Sequence, residues 1–359
     1  MKLIRKVGPF IESPQSTSKI MRNIMFALIP IIIYSFYRNG IVPFQHNLVG
    51  IYGLFYPLLS LVVASLTSVI VEFLHQIIFT KRRKKEDIIY DLKNNYSFIP
   101  GLFVGLLLPY GCTIPIIFIG AFSATIIGKL LFGGFGTNTL NSTLIGILVV
   151  VAVFGSLNGL RINPNVYSVS NTTISNIKDI NLNTDYNGLI TPFGGLDKLF
   201  IGDIPGSPAD ISSIICIIAL IFLTITKSIK WRIAITNILT VLILTTVYGL
   251  VNNAPIWYGL IHILSGGLLF MSVFIATDSV TTPVTKFGMN LFGISLGVLT
   301  VLFRTITPYY LESMIFSILI LNMIVFLIDD LALNYKHKKT AIIVPTFILL
   351  ILSICPYIF

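Results

Sequence analysis

Charge is scarce in this chain. Only 11% of its 359 residues are Asp, Glu, Lys or Arg, where a soluble domain carries about a quarter. That shortage excludes an ordinary water-facing surface. Cysteine is also sparse: Cys112, Cys216 and Cys355 are widely spaced, and each lies in or beside an apolar run. They lack metal-ligand spacing, a C-x-x-C-H haem pattern and a cysteine series for an Fe–S cluster. They read as small buried residues, unless a thiolate joins a metal site shared with another subunit. A GxxxxGK[ST] phosphate loop is missing, and so is an NAD fingerprint. The opening MKLIRKVGPFIESPQSTSKIMRN is polar and basic, without a cleavable signal pattern.

What the chain does have is apolar length. It is 55% hydrophobic, and the apolar residues come in runs that match the roughly 20 residues a helix needs to cross a bilayer. Runs this long and continuous are helices rather than barrel strands. The fold class is therefore an all-α polytopic membrane protein. The net charge of +10 does not point to nucleic acid, because Lys and Arg cluster beside the spans as in cytoplasmic loops.

Hydropathy and the Lys/Arg bias predict ten core spans. They lie near 23–37, 51–79, a short segment around SFIPGLFVGLLLPYG, 113–132, 140–159, 211–226, 233–251, 257–277, 288–303 and 311–328. The inside markers are the basic N-terminus, TKRRKKED, KSIKWR and LIDDLALNYKHKK. The third segment, at roughly 15 residues, reaches only about 22 Å, and Pro100 and Pro109 bracket it. Short, Pro/Gly-interrupted segments are typical of discontinuous helices around a buried site. The expected organisation is a cytoplasmic segment 1–22, a five-helix half 23–159, an extracytoplasmic loop 160–210, a second five-helix half 211–330, and 331–359 as a basic loop with an additional C-terminal helix. Five crossings reverse direction, so related halves would be inverted repeats. The N-terminus is expected inside and the 160–210 loop outside.

Four stretches could carry chemistry. IGKLLFGGFGTNTLN (127–141) puts Lys129 at the end of an apolar helix, where a lysine can snorkel to the interface or face a ligand. ATDSVTTPVTK (276–286) puts Asp278 before several hydroxyls and Pro283. Asp278 is either an N-cap of the next segment or a group that holds a cation or polar ligand. In GDIPGSPADISS, Ser207, Asp210 and Ser212 look like helix-start residues. In TDYNGLITPF, Thr191 on its own reads as a turn residue.

Taken together these stretches become recognisable. HILSGGLLFMSVFIATDSVTTPVTKFGMNLFGISLGVLTVLFR strongly resembles the D subunit of Rnf complexes and its relative, the B subunit of the sodium-pumping quinone reductase Nqr. IGKLLFGGFGTNTLN, SPQSTSKIMRNIMFALIP and IPGSPADIS resemble the same family in colinear order, over about 20–335. The resemblance implies a membrane electron-transfer subunit. It carries FMN linked by a phosphoester to a Thr of an extracytoplasmic loop, with riboflavin or a second noncovalent flavin besides. By that resemblance Thr191 is the FMN anchor and Asp185 the residue a flavin transferase recognises. Gly188, Leu189 and Ile190 stand where the family has a small hydroxyl residue, Gly and Ala. NTLNST (138–143) departs from the family's Asn-Pro beside its noncovalent flavin site. Lys129 and Asp278 are the candidates for lining the flavin or ion path. Implied partners are the other Rnf subunits and membrane lipid, in a bacterial cytoplasmic membrane, with coupling to Na⁺ or H⁺. The lack of a long N-terminal extension favours Rnf over Nqr. A non-redox secondary transporter or channel also fits inverted halves, broken helices and intramembrane charges.

Overall fold

The computed structural model describes residues 16–79, 85–155, 196–202, 207–209, 212–251, 254–265, 267–306 and 310–333. Every described element is helical. α1 is Thr17–Phe36 and continues through a π-turn at Tyr37–Ile41 to Gln45. α2 is Ile51–Ile78, α3 Lys85–Asn94, α4 Ile99–Leu107, α5 Ile114–Ile126 and α6 Ser142–Phe154. α7 is Leu196–Ile201, α8 Ser213–Ile225, α9 Trp231–Val251 and α10 Tyr258–Leu264. α11 runs from Leu268 through the π-turn Met271–Ile275; α12 is Lys286–Ile306 and α13 Tyr310–Leu333.

Six of these helical stretches are long and apolar enough to cross a membrane, and seven if α10 and α11, bent by 63°, form one broken span. The first begins earlier than hydropathy suggests, at Thr17, because Ser16 accepts the Lys19 N–H at 3.3 Å and caps a polar first turn. α4 is a nine-residue helix, short as its flanking prolines imply, with Pro100 in its first turn. The final apolar run beyond 340 lies outside the described residues.

Polar residues face inward beside apolar ones. On α2 the buried stripe holds Gly53, Ser60, Ala64, Thr67, Ser68, Glu72 and Gln76 together with Tyr56, Pro57, Leu61 and Val71, at three- and four-residue spacing. Val62, Leu66, Ile70, Phe73 and Ile77 are the exposed face. Lipid supplies no hydrophobic drive between helices, so close packing and polar contacts hold them together. Gly101 and Gly105 let α4 pass against Ala64 and Leu61 of α2; a Cβ on Gly101 would run into the Ala64 carbonyl. Across the molecule Gly297 of α12 would place a Cβ 2.7 Å from that of Thr240 on α9.

α2, α4, α5 and α6 pack together as one group, and α9, α10, α12 and α13 as another. α1 packs on α8, and Asn23 donates to Ser228 Oγ at 2.8 Å where α1 meets the α8–α9 turn. α6 of the first group touches α13 of the second. A contiguous core, including Leu28, Leu106, Ile117, Leu144, Phe270 and Phe292, joins both groups.

Candidate functional site: a pocket between two helix breaks

Two interruptions of helix meet at one end of the bundle. The first follows α5, which Gly128 ends: a Cβ there would lie 2.6 Å from Ser142 Cα. The chain turns through Gly133 and Gly134, at φ 102° and 106°, a region glycine enters without steric cost. Asn141 then starts α6, its Oδ1 accepting from the N–H groups of Thr143 (3.1 Å) and Leu144 (3.4 Å). The second interruption lies between the π-turn of α11 and the start of α12. π-turns of this kind occur often at functional sites.

Between them is a pocket of about 90 Å³. Lys129, Phe135, Asn138 and Asn141 of the first break line it, together with Thr277, Asp278 and Ser279 of the second. Tyr96 and Phe103 add aromatic wall beside and within α4, and Ser228 adds a hydroxyl. Tyr96 and Phe135 rings lie 5.5 Å apart, and Tyr96 donates to Ser18 Oγ at 2.9 Å. The structure thus brings Lys129 and Asp278, 149 positions apart in the chain, to one pocket.

Lys129 does not snorkel. It is 3% exposed, and its Nζ lies 2.6 Å from Glu72 Oε2 of α2 and 2.8 Å from the Asn95 carbonyl before α4. One turn along, Thr125 donates to Ser68 Oγ at 2.9 Å. Sequence reading missed Glu72, although an acid inside an apolar span is itself a signal for a buried partner.

Asp278 does not cap α12. Its carboxylate accepts from its own loop, from Val280 N–H at 3.4 Å and Thr281 Oγ1 at 3.2 Å. The cap of α12 is Thr285, whose Oγ1 accepts Gly288 N–H at 3.0 Å. Burial raises the Asp278 carboxyl above the ordinary carboxylate value, opposed by those hydrogen bonds and by the charge of Lys230. Lys230, in the α8–α9 turn, donates to the carbonyls of Ser279 (3.1 Å) and Thr282 (3.0 Å) and to Thr282 Oγ1 (2.8 Å). Burial lowers its ammonium below the ordinary lysine value, against the pull of Asp278 and Asp329. Asp329 of α13 holds the other end of the loop, accepting from Val284 N–H (3.0 Å) and from Thr285 N–H and Oγ1 (3.2 and 2.9 Å). Neither Lys230 nor Asp329 stood out in the sequence, because each reads as an ordinary charge at a helix end.

Of the helix-start residues before α8, Ser212 caps it, its Oγ accepting Ile215 N–H at 3.3 Å. Ser207 is buried, and Asp210 lies outside the described residues, as do Thr191, Asp185 and the intervening Gly188, Leu189 and Ile190.

Aromatic walls with amide and hydroxyl groups can stack against and hydrogen-bond the edge of a planar heterocycle; at about 90 Å³ the pocket is smaller than the roughly 300–1,000 Å³ of a site that encloses a whole ligand. The described residues contain no group of three or more His, Cys, Asp or Glu that could hold a metal ion.

Sequence comparison gives this geometry its family. Over 328 residues the chain is 30% identical to the D subunit of the proton-translocating ferredoxin:NAD(+) oxidoreductase complex of Clostridium ljungdahlii, covering 90% of this chain and 92% of that one. It is 27% identical over 376 residues to the D subunit of the ion-translocating oxidoreductase complex of Buchnera aphidicola, covering 94% and 100%. It is also 27% identical over 271 residues to the B subunit of the Na(+)-translocating NADH-quinone reductase of Azotobacter vinelandii, covering 74% and 64%. The profile of the NQR2, RnfD, RnfE family matches residues 4–338, both helix groups and both breaks included, and the chain belongs to that family.

Proposed function

We propose that this chain is the flavin-carrying membrane subunit of an Rnf-type complex. That complex couples electron transfer between ferredoxin and NAD to translocation of Na⁺ or H⁺. The observation that carries the reading is the family match over 4–338. The Rnf type is preferred to the quinone-reductase type because 90% of the chain aligns with the clostridial D subunit and 74% with the Azotobacter B subunit. The chain acts only within its complex, since its sequence holds no NAD fingerprint to complete the reaction alone.

In this reading the chain has ten core spans in two inverted halves, 23–159 and 211–330. Three pairings shared by the two helix groups support it (α2 with α4 and α5, and α5 with α6; α9 with α10 and α12, and α12 with α13), with a short or broken third span in each (α4, and α10 with α11). The segment 1–22 and the basic loop that follows 330 lie on the cytoplasmic side, an additional C-terminal span follows that loop, and 160–210 is extracytoplasmic. Thr191 supplies the hydroxyl for the FMN phosphoester, and Asp185 is read by the transferase that attaches it. The pocket at the two breaks is the seat of a second, noncovalent flavin or riboflavin. A flavin bound there would supply the electron-transfer chemistry, while the protein's residues would set its position and polarity. Phe135 and Tyr96 would bound its ring, and Asn138 and Asn141 would bond its polar edge. Lys129, neutralised by Glu72, and Asp278 shape the pocket's charge.

The test is an intact mass of the chain from complex made with its flavin transferase. One FMN less one water is expected on the native chain and none on Thr191→Val, whose band also loses flavin fluorescence in a denaturing gel. A native chain of unmodified mass refutes covalent attachment, and a complex devoid of any flavin favours a non-redox transporter.

A further inference from the structure

Asn322 sits on α13, 5% exposed. One setting of its amide satisfies every neighbour. The nitrogen donates to Ile318 O (3.3 Å) and Thr281 O (3.0 Å), and the oxygen accepts Asn141 N–H (3.2 Å). The opposite setting faces oxygen to two carbonyls and nitrogen to a donor, which a buried amide does not tolerate. One side chain therefore holds the backbone of both breaks. Asn141 is the residue that starts α6, and Thr281 is the residue whose hydroxyl bonds the Asp278 carboxylate.

The second break has further anchors. Asp329, seven residues and two turns beyond Asn322 on the same face of α13, accepts from Val284 and Thr285. Lys230 grips Ser279 and Thr282 from the α8–α9 turn. The break that follows α11 is thus fixed to α13 and to the α8–α9 turn, and Asn322 extends that fixing to the first break.

We infer that Asn322 is a positioning residue that ties the two breaks into one unit, so that the Asn141 wall and the Asp278 wall of the pocket keep a set spacing. The consequence for a ligand rests on the pocket being a noncovalent flavin seat; the coupling of the two breaks does not.

The experiment compares whole complexes carrying native Asn322, Asn322→Leu and Asn322→Asp by amide hydrogen exchange, which reads local opening. In Asn322→Leu, exchange at Asn141 and Thr143–Ile145 and at Val280–Thr285 rises together, by about tenfold, while amides of α9 and α12 stay as in the native protein. Asn322→Asp, measured at a pH that protonates its carboxyl, keeps an acceptor for Asn141 N–H and a donor to Thr281 O, so its exchange stays near native at both breaks. Noncovalent flavin released by denaturation falls at least threefold per Thr191-linked flavin in Asn322→Leu, a loss of about 0.65 kcal/mol or more. Exchange that is unchanged in Asn322→Leu, raised at only one break, or raised evenly through α9 and α12 overturns the inference. If native complex yields no noncovalent flavin, the pocket's proposed occupant is wrong, and the exchange results still decide the role of Asn322.

Discussion

Lys129 carries its charge into a place with 3% exposure, and Glu72 is what makes that possible. Attraction in a low-dielectric interior offsets desolvation only while both partners are present. Lys129→Met therefore leaves a buried, unpaired carboxylate, at a cost of about 3–5 kcal/mol. The expected result is a marked loss of folded complex and a lowered thermal midpoint in detergent. The double variant Glu72→Gln with Lys129→Met should recover most of that loss. Asp278 makes a pH-dependent counterpart. Its folded value is raised by burial, so the folded state binds the proton more tightly than the unfolded chain. Stability contributed by this group is present at low pH and declines as pH rises from the ordinary carboxylate value through the raised one. Asp278→Asn should thus melt higher than native protein at neutral pH, with the advantage vanishing on acidification; a melting-midpoint series against pH checks this. Both side chains were visible in the sequence as charges beside spans. Their partners were not, because Glu72 and Lys129 are 57 positions apart and meet only when α2 packs on α5.

At the scale of helices, prolines and glycines did most of the talking. Pro100 and Pro109 mark the short third segment, and α4 is the nine-residue result. The glycines act differently according to what they face. Gly101 lies against the Ala64 carbonyl and Ser68, whereas Gly50 has nothing within 4 Å of its missing Cβ. Gly101→Val should push α4 off α2, at a cost of about 1–3 kcal/mol for overpacking. Gly50→Ala should change the thermal midpoint little. Helix ends were harder to place. α12 starts at a Thr285 cap, not at Asp278, because Asp278 spends its carboxylate on a turn within its own loop. The 3.6-residue rhythm of apolar residues cannot reveal such a choice, since it concerns hydrogen bonds over three or four residues.

For the molecule as a whole, the exposed belt of apolar side chains is a claim about solvent. Leu66, in the middle of α2, is 52% exposed. Were that face in water, Leu66→Arg would be harmless; against lipid a central arginine costs about 2.5–3.5 kcal/mol for insertion. Reduced membrane insertion of Leu66→Arg, measured by glycosylation mapping or protease protection, is expected, and normal insertion would place that face elsewhere. Composition and run length by themselves determined the helical membrane class and the approximate position of each described span, since backbone hydrogen bonding in lipid leaves few other solutions. They also placed Lys129 and Asp278 at helix breaks. Only tertiary structure decided that the breaks meet, that Lys129 pairs with Glu72, and that Lys230, Asp329 and Asn322 hold the second break. The physical reason is range. Hydropathy and turn chemistry act over a few residues, whereas these contacts join residues up to 181 positions apart (Asn141 to Asn322) and exist only once helices from both groups have packed.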